Sequence, residues 1–179
     1  MQPRQTPRAF TLVELLIAVT IIAILAGIAF PAYRWVVKNS EASACKSNLG
    51  QIGAALTLYL KEHNLRLPEL PAGRDSIDDN STPALDTVLM PYADSRDIFI
   101  CPGDHAGIGR ATGTSYLWNH LLNGQRLDNM SFFGIRDDPK RIPVIADKEG
   151  FHEDEDVKAN ILYGDFRVAA SVRFSTDGP

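Results

Sequence analysis

Glu14 is the only charged side chain in a run of apolar character from Phe10 to Phe30. An ionisable group inside a membrane segment costs on the order of 3 kcal/mol on insertion scales, so it marks a functional site and calls for a positive partner at the same depth. Two cysteines, Cys45 and Cys101, lie 56 positions apart. Two acidic clusters offer hard oxygen ligands: one contains Asp75, Asp78 and Asp79, the other runs Glu153-Asp-Glu-Asp156. His63, His105, His120 and His152 have no motif around them, and the chain lacks Gly-x-Ser-x-Gly, His-Glu-x-x-His and a phosphate-cradling glycine loop. Cys101 and His105, four residues apart in a proline- and glycine-containing loop, only weakly imitate a thiol with its base. An enzyme is not expected.

The element that must hold Glu14 can be measured against a bilayer. Residues 15–32 are 18 positions with Thr20 as the single polar side chain, close to the roughly 20 needed to span. Arg4 and Arg8 precede the run and no acid does, so the positive-inside rule keeps the first nine residues in the cytoplasm and sends the bulk of the chain across. Three readings compete: a cleaved secretory signal, a plain signal anchor, and a leader cut before the apolar run. An ordinary signal has an uncharged centre of about 7–15 residues, and this longer run with an acid near its start does not fit it.

At this point the residues resemble a known family. Ala9-Phe-Thr-Leu-Val-Glu-Leu-Leu-Ile17 is similar to the processing motif of type IV pilins and type II secretion pseudopilins. The resemblance implies that a prepilin peptidase/methyltransferase cuts between Ala9 and Phe10, methylates the new amine of Phe10, and leaves Glu14 as the fifth residue of the mature chain. Pro31 then becomes residue 22, where the family also has a proline. The family usually has glycine before the cut, where this chain has Ala9.

Cleavage would place a cationic amine on Phe10 one helical turn from Glu14, about 6 Å along the axis. In a helical stack, Glu14 of one subunit could meet the amine of the next, turning two desolvation penalties into one buried pair that sets register more than strength. Gly27 and Pro31 are helix breakers, and a kink or melted turn is expected there.

Beyond Pro31 the pattern turns amphipathic. Val37, Cys45, Leu49, Ile52, Leu56 and Tyr59 recur at helical steps, while Lys38, Glu41, Lys46, Lys61 and Glu62 lie elsewhere. No proline occurs between residues 32 and 67, so one helix is expected over 10–63. A short helix is expected over 82–90, with Thr82 as N-cap and Pro83 in its first turn. Strand candidates are 98–100, 114–118, 142–146, 160–163 and 167–174, joined by turn residues such as Asn123-Gly124, Gly150 and Gly164-Asp165. No interval between these strands holds a long helical crossover, so antiparallel pairing is expected.

The resemblance continues through Ala44-Cys-Lys-Ser-Asn-Leu-Gly-Gln-Ile-Gly-Ala-Ala-Leu-Thr-Leu-Tyr59, which is similar to pilin-like proteins of planctomycetes and verrucomicrobia. Ile100-Cys-Pro-Gly-Asp104 and Ala159-Asn-Ile-Leu-Tyr-Gly-Asp165 match two further motifs of that group. Such relatives usually continue Asp-Gly-His-Val, where this chain has Asp165-Phe-Arg-Val168.

In an oxidising compartment Cys45 and Cys101 invite a disulfide. Two free thiols, or a zinc site with His105, are the alternatives. Calcium is a weak candidate at Asp75, Asp78 and Asp79; type II pseudopilins hold this ion in their heads, but neither cluster has EF-hand spacing. No other cofactor is expected. Without Arg4 and Arg8, the 18 basic residues fall to 16 against 22 acidic ones, a net of −6, which disfavours nucleic acid. A patch at Arg136, Lys140 and Arg141 is largely neutralised by Asp137 and Asp138.

The expected architecture is α+β: a long N-terminal helix packed against a small antiparallel sheet. Its parts are a cytoplasmic leader (1–9), a membrane and assembly segment (10–33) and an extracytoplasmic head with the amphipathic half of the helix (34–179). The resemblance implies a pseudopilin of a type II secretion system, polymerised with copies of itself and other pseudopilins on an inner-membrane assembly platform, single-pass with its head in the periplasm. The alternative is a major or minor pilin of a type IV pilus, serving adhesion, motility or DNA uptake.

Overall fold

The computed structural model describes residues 11–136, 138–148 and 159–169. It divides into two units, residues 1–39 and 40–179. The helix α1 (Leu12–Glu62) begins in the first unit and ends in the second.

In the first unit the helix is continuous through Gly27 and Pro31; of the expected kink or melted turn, the melted turn is absent. Pro31 has no N–H for the carbonyl of Gly27, four residues earlier, so the two breakers weaken the same turn without ending the helix. A Cβ at Gly27 would meet nothing within 4 Å.

In the second unit the amphipathic stripe is dry as its spacing predicts. Cys45, Leu49, Ile52 and Leu56 are buried and Tyr59 is half-buried; Val37, at the end of the first unit, is half-buried too. The core also takes Gly53, Ala55 and Leu60. Asn64 and Leu65 end the helix in left-handed conformations (φ 53° and 60°), and Leu65 N–H reaches back to the Leu60 carbonyl at 2.8 Å.

Two short helices follow, α2 (Leu85–Leu89) and α3 (Ile108–Thr112). The N-cap of α2 is Ala84 and not Thr82. Thr87 explains the shift: its hydroxyl accepts from Ala84 N–H and donates to the Ala84 carbonyl, both at 2.9 Å. Residues 96–99 form a 3-10 turn where a strand was expected. There Ser95 Oγ accepts from Asp97 N–H at 3.1 Å, a local bond that competes with strand pairing.

Four strands form one antiparallel sheet in the order β1 (Tyr116–Trp118), β4 (Pro143–Asp147), β5 (Ile161–Tyr163), β6 (Val168–Ala169). The last of the expected strands, 167–174, lies in part outside the described residues. Strands β2 (Ser131–Phe132) and β3 (Ile135–Arg136) make a separate hairpin that sequence reading did not find. The register aligns Trp118, Ile145, Leu162 and Val168 in one row across the sheet. Leu162 packs on α1 at Gly53, where an added Cβ would lie 3.1 Å from its Cδ1. A Cβ at Gly53 would require the Leu162 side chain to give by a few tenths of an ångström.

Candidate functional site

Ala9 and Phe10 lie outside the described residues. The site that is described begins at Thr11, the residue before the helix. Thr11 N–H donates to Glu14 Oε2 at 2.9 Å and its hydroxyl donates to the same oxygen at 2.8 Å. Glu14 N–H donates back to Thr11 Oγ1 at 3.2 Å. This is a reciprocal capping box, in which N-cap and third helical residue each satisfy a backbone donor of the other. Sequence reading treated Glu14 as an acid waiting for an amine and missed this bond, although Thr11-x-x-Glu14 ahead of an apolar run signals it. The box fixes the carboxylate at the helix N-terminus, where the macrodipole favours negative charge.

Behind it the apolar side chains have no protein cover. Leu12, Ile17, Ile22, Ile28 and Val36 are all more than half exposed. This part of the helix is long and apolar enough to cross a membrane, and none of its most apolar stretch is buried. The one polar side chain is satisfied within the helix, Thr20 Oγ1 donating to the Leu16 carbonyl at 2.8 Å. A helix apolar on all sides needs lipid or other helices around it.

The second constellation is in the head. Cys45 and Cys101 form a disulfide, with Cα atoms 5.0 Å apart, which removes both the free-thiol and the zinc alternatives. A loop of this length gives a nominal 4 kcal/mol or so by chain entropy. It also removes Cys101 as a nucleophile. His105 instead stands 3.3 Å from Glu41, its side chain 74% exposed.

Asp104, in the loop after Cys101, organises that crosslink. It accepts from Ile108 N–H (3.0 Å), Gly109 N–H (2.6 Å) and Ser115 Oγ (2.8 Å), while Ser115 Oγ accepts from Cys101 N–H at 3.0 Å. Partial burial pushes the Asp104 carboxyl up, but these bonds, led by Gly109, outweigh it and hold it below the usual carboxylate range.

The calcium candidates do not converge. Asp75 and Asp78 are exposed. Asp79 Oδ1 accepts from Ser81 Oγ (2.6 Å), Ser81 N–H (3.0 Å) and Thr82 N–H (3.3 Å). Those bonds, the Ser81 hydroxyl first, push its carboxyl down to about 2. Among the described residues no group of three or more His, Cys, Asp or Glu could hold a metal ion. Glu153-Asp-Glu-Asp156 and His152 lie outside those residues.

One ion pair was invisible in the sequence. Arg74 and Asp86 meet at 2.7 Å with side chains 2% and 0% exposed, and Arg74 Nε donates to the Thr112 carbonyl at 2.8 Å. Gly113 (φ 92°) leaves them room: a Cβ there would lie 2.6 Å from Asp86 Oδ2.

Comparison with known proteins falls on the first constellation. Residues 4–30 match the prokaryotic N-terminal methylation motif. Two type IV major fimbrial proteins named FimA, both from Dichelobacter nodosus, are each 45% identical to this chain over 53 residues. That stretch is 30% of this chain and 34% and 33% of the relatives, so the chain matches about a third of their length. No solved structure matches the chain. The chain is type IV pilin-like, both in this motif-bearing segment and in its arrangement of one long N-terminal helix with a small antiparallel sheet.

Proposed function

We propose that this chain is a structural, non-catalytic subunit of a filament assembled from the inner membrane, and within that class a pseudopilin of a type II secretion system. The observation that carries the class is Glu14 in its capping box at the head of an uncovered apolar helix. Peptidase cleavage between Ala9 and Phe10 would free an amine near a carboxylate already fixed in place. The methylated amine of Phe10 and Glu14 of neighbouring copies would then pair in register, while Leu12, Ile17 and Ile22 exchange lipid for other helices. Gly27 and Pro31 weaken one turn, which lets the segment extend on leaving the bilayer.

The Cys45–Cys101 bridge supports a head in an oxidising compartment, here the periplasm. The acidic balance of the processed chain, −6 from the counts above, speaks against a role in carrying DNA. A type IV pilus subunit is the second reading, favoured because the FimA relatives are fimbrial proteins. Deletion of the gene separates the two. A pseudopilin deletion leaves secreted enzymes in the periplasm with surface fibres intact; a pilin deletion abolishes fibres, adhesion or twitching and leaves secretion normal.

A further inference from the structure

Past Glu14, the next charges along the helix are Arg34 and Lys38. The uncharged stretch between, residues 15–33, rises about 28 Å at 1.5 Å per residue, close to the roughly 30 Å of a bilayer's hydrocarbon. Its far end is marked by aromatic as well as basic side chains: Tyr33 is 67% exposed and Trp35 65%, and Arg34 and Lys38 are exposed too. Arg34 and Lys38 are four residues apart and Trp35 and Lys38 three, so these three share a helix face. The Arg34 guanidinium also sits 5.5 Å from the centre of the Phe30 ring, which turns it back along that face toward the apolar stretch. On the anchor reading Arg34 and Lys38 stand on the side that the positive-inside tendency depletes of cations, where a local anionic ligand would favour them.

We propose that Arg34, Trp35 and Lys38 form a binding site for the phosphodiester headgroup of a phospholipid at the border opposite Glu14. Arg34 supplies a forked donor to the phosphate, Lys38 a second positive charge one turn further out, and Trp35 an amphipathic ring at headgroup level. Glu14 and this cluster then bracket the hydrocarbon and fix the depth of the subunit before assembly. Entry into a filament would require this contact to break. The inference rests on the membrane-anchor reading above.

The test uses the full chain in phosphatidylglycerol-containing vesicles whose acyl chains carry bromines either shallow (carbons 6 and 7) or deep (carbons 11 and 12). Trp118 is buried in the head at 1% exposure, and Trp35→Phe measures its background. Trp35 emission is expected to be quenched at least twofold more by shallow than by deep bromines, and the doubly substituted Arg34→Gln, Lys38→Gln chain is expected to lose that ratio. Equal or greater quenching by deep bromines would overturn the border site while leaving the anchor standing. No quenching by either would remove the anchor reading as well. An unchanged ratio in the double variant would overturn the phosphate contact. Inorganic phosphate added to the detergent-solubilised chain is expected to leave Trp35 emission unaltered; a response there would assign the site to free phosphate and overturn the lipid.

Discussion

Residues 12–36 of the long helix leave Leu12, Ile17, Ile22, Ile28 and Val36 more than half exposed, whereas residues 45–60 bury Cys45, Leu49, Ile52, Leu56 and Leu60 to 1% or less. Both stretches are regular helix. The difference lies in what covers them. The second stretch meets its sheet, its crosslink and its loops within the same chain, so its stability is an internal matter. Among the described residues the first has only contacts within its own helix, so its apolar faces call for lipid or other helices. Under the proposed function, membrane insertion and polymerisation would answer the same need in turn.

The largest break in that comparison should come at Glu14. Glu14→Leu is expected to cut filament yield tenfold or more, measured in the sheared fraction, while leaving thermal unfolding of the head unchanged. Glu14→Gln sharpens the point, because glutamine keeps the capping box and loses the charge. Its filament yield should fall as the leucine variant's does; normal yield with glutamine would show that capping, and not charge, is what assembly uses.

Removing the crosslink tests the opposite region. Cys45→Ser with Cys101→Ala should lower head stability by about 4 kcal/mol in denaturant unfolding, with insertion of the first stretch into vesicles unaffected. Next in size is the buried pair. Asp86→Ala leaves Arg74 buried without its carboxylate and should cost about 3 kcal/mol, whereas Arg74→Met with Asp86→Leu should be near neutral. Equal losses in both would mean the pair adds strength of its own.

Acid should act on the head through Asp79 and Asp104. Both carboxyls are held below their ordinary value of 3.8, Asp79 at about 2. A depressed folded-state pKa contributes stability that is complete above the unfolded value and lost as pH falls through the folded one. The melting temperature should therefore drop from about pH 4 toward pH 2, with a shallower slope in Asp104→Asn.

The smallest effect distinguishes two phenylalanines with left-handed backbones, Phe133 (φ 44°) and Phe166 (φ 63°). Phe133 is 83% exposed and its ring meets Phe132 edge-on, centroids 4.6 Å apart, so Phe133→Gly trades backbone strain for one ring contact and should change stability by no more than about 0.5 kcal/mol in chemical denaturation. Phe166 packs at the edge of the core, so the same change there should destabilise.

Phe166 also shows how far the sequence could be read. Asp165-Phe-Arg-Val168 departs from a pattern with glycine at the second place, and that position adopts the conformation glycine tolerates best. The long helix and strands β1, β4 and β5 were legible because their apolar periodicity is strong. The 3-10 turn at 96–99 was not, because Ile98 and Phe99 are as apolar as a strand and the deciding bond belongs to Ser95. Nor was the Arg74–Asp86 pair, whose partners come from loop and helix with no periodicity between them. At Glu14 the isolated acid was legible but its bonding partner Thr11 was not, because Thr11 reads as part of an apolar run.

Under the proposed function, a new amine on Phe10 would complete the site that Glu14 begins. Intact-mass and fragment spectrometry of the membrane form tests it most directly. The expected product is a chain lacking residues 1–9 and carrying one added methyl group on Phe10. A chain that retains Met1, or one cut beyond Ala32, would contradict it.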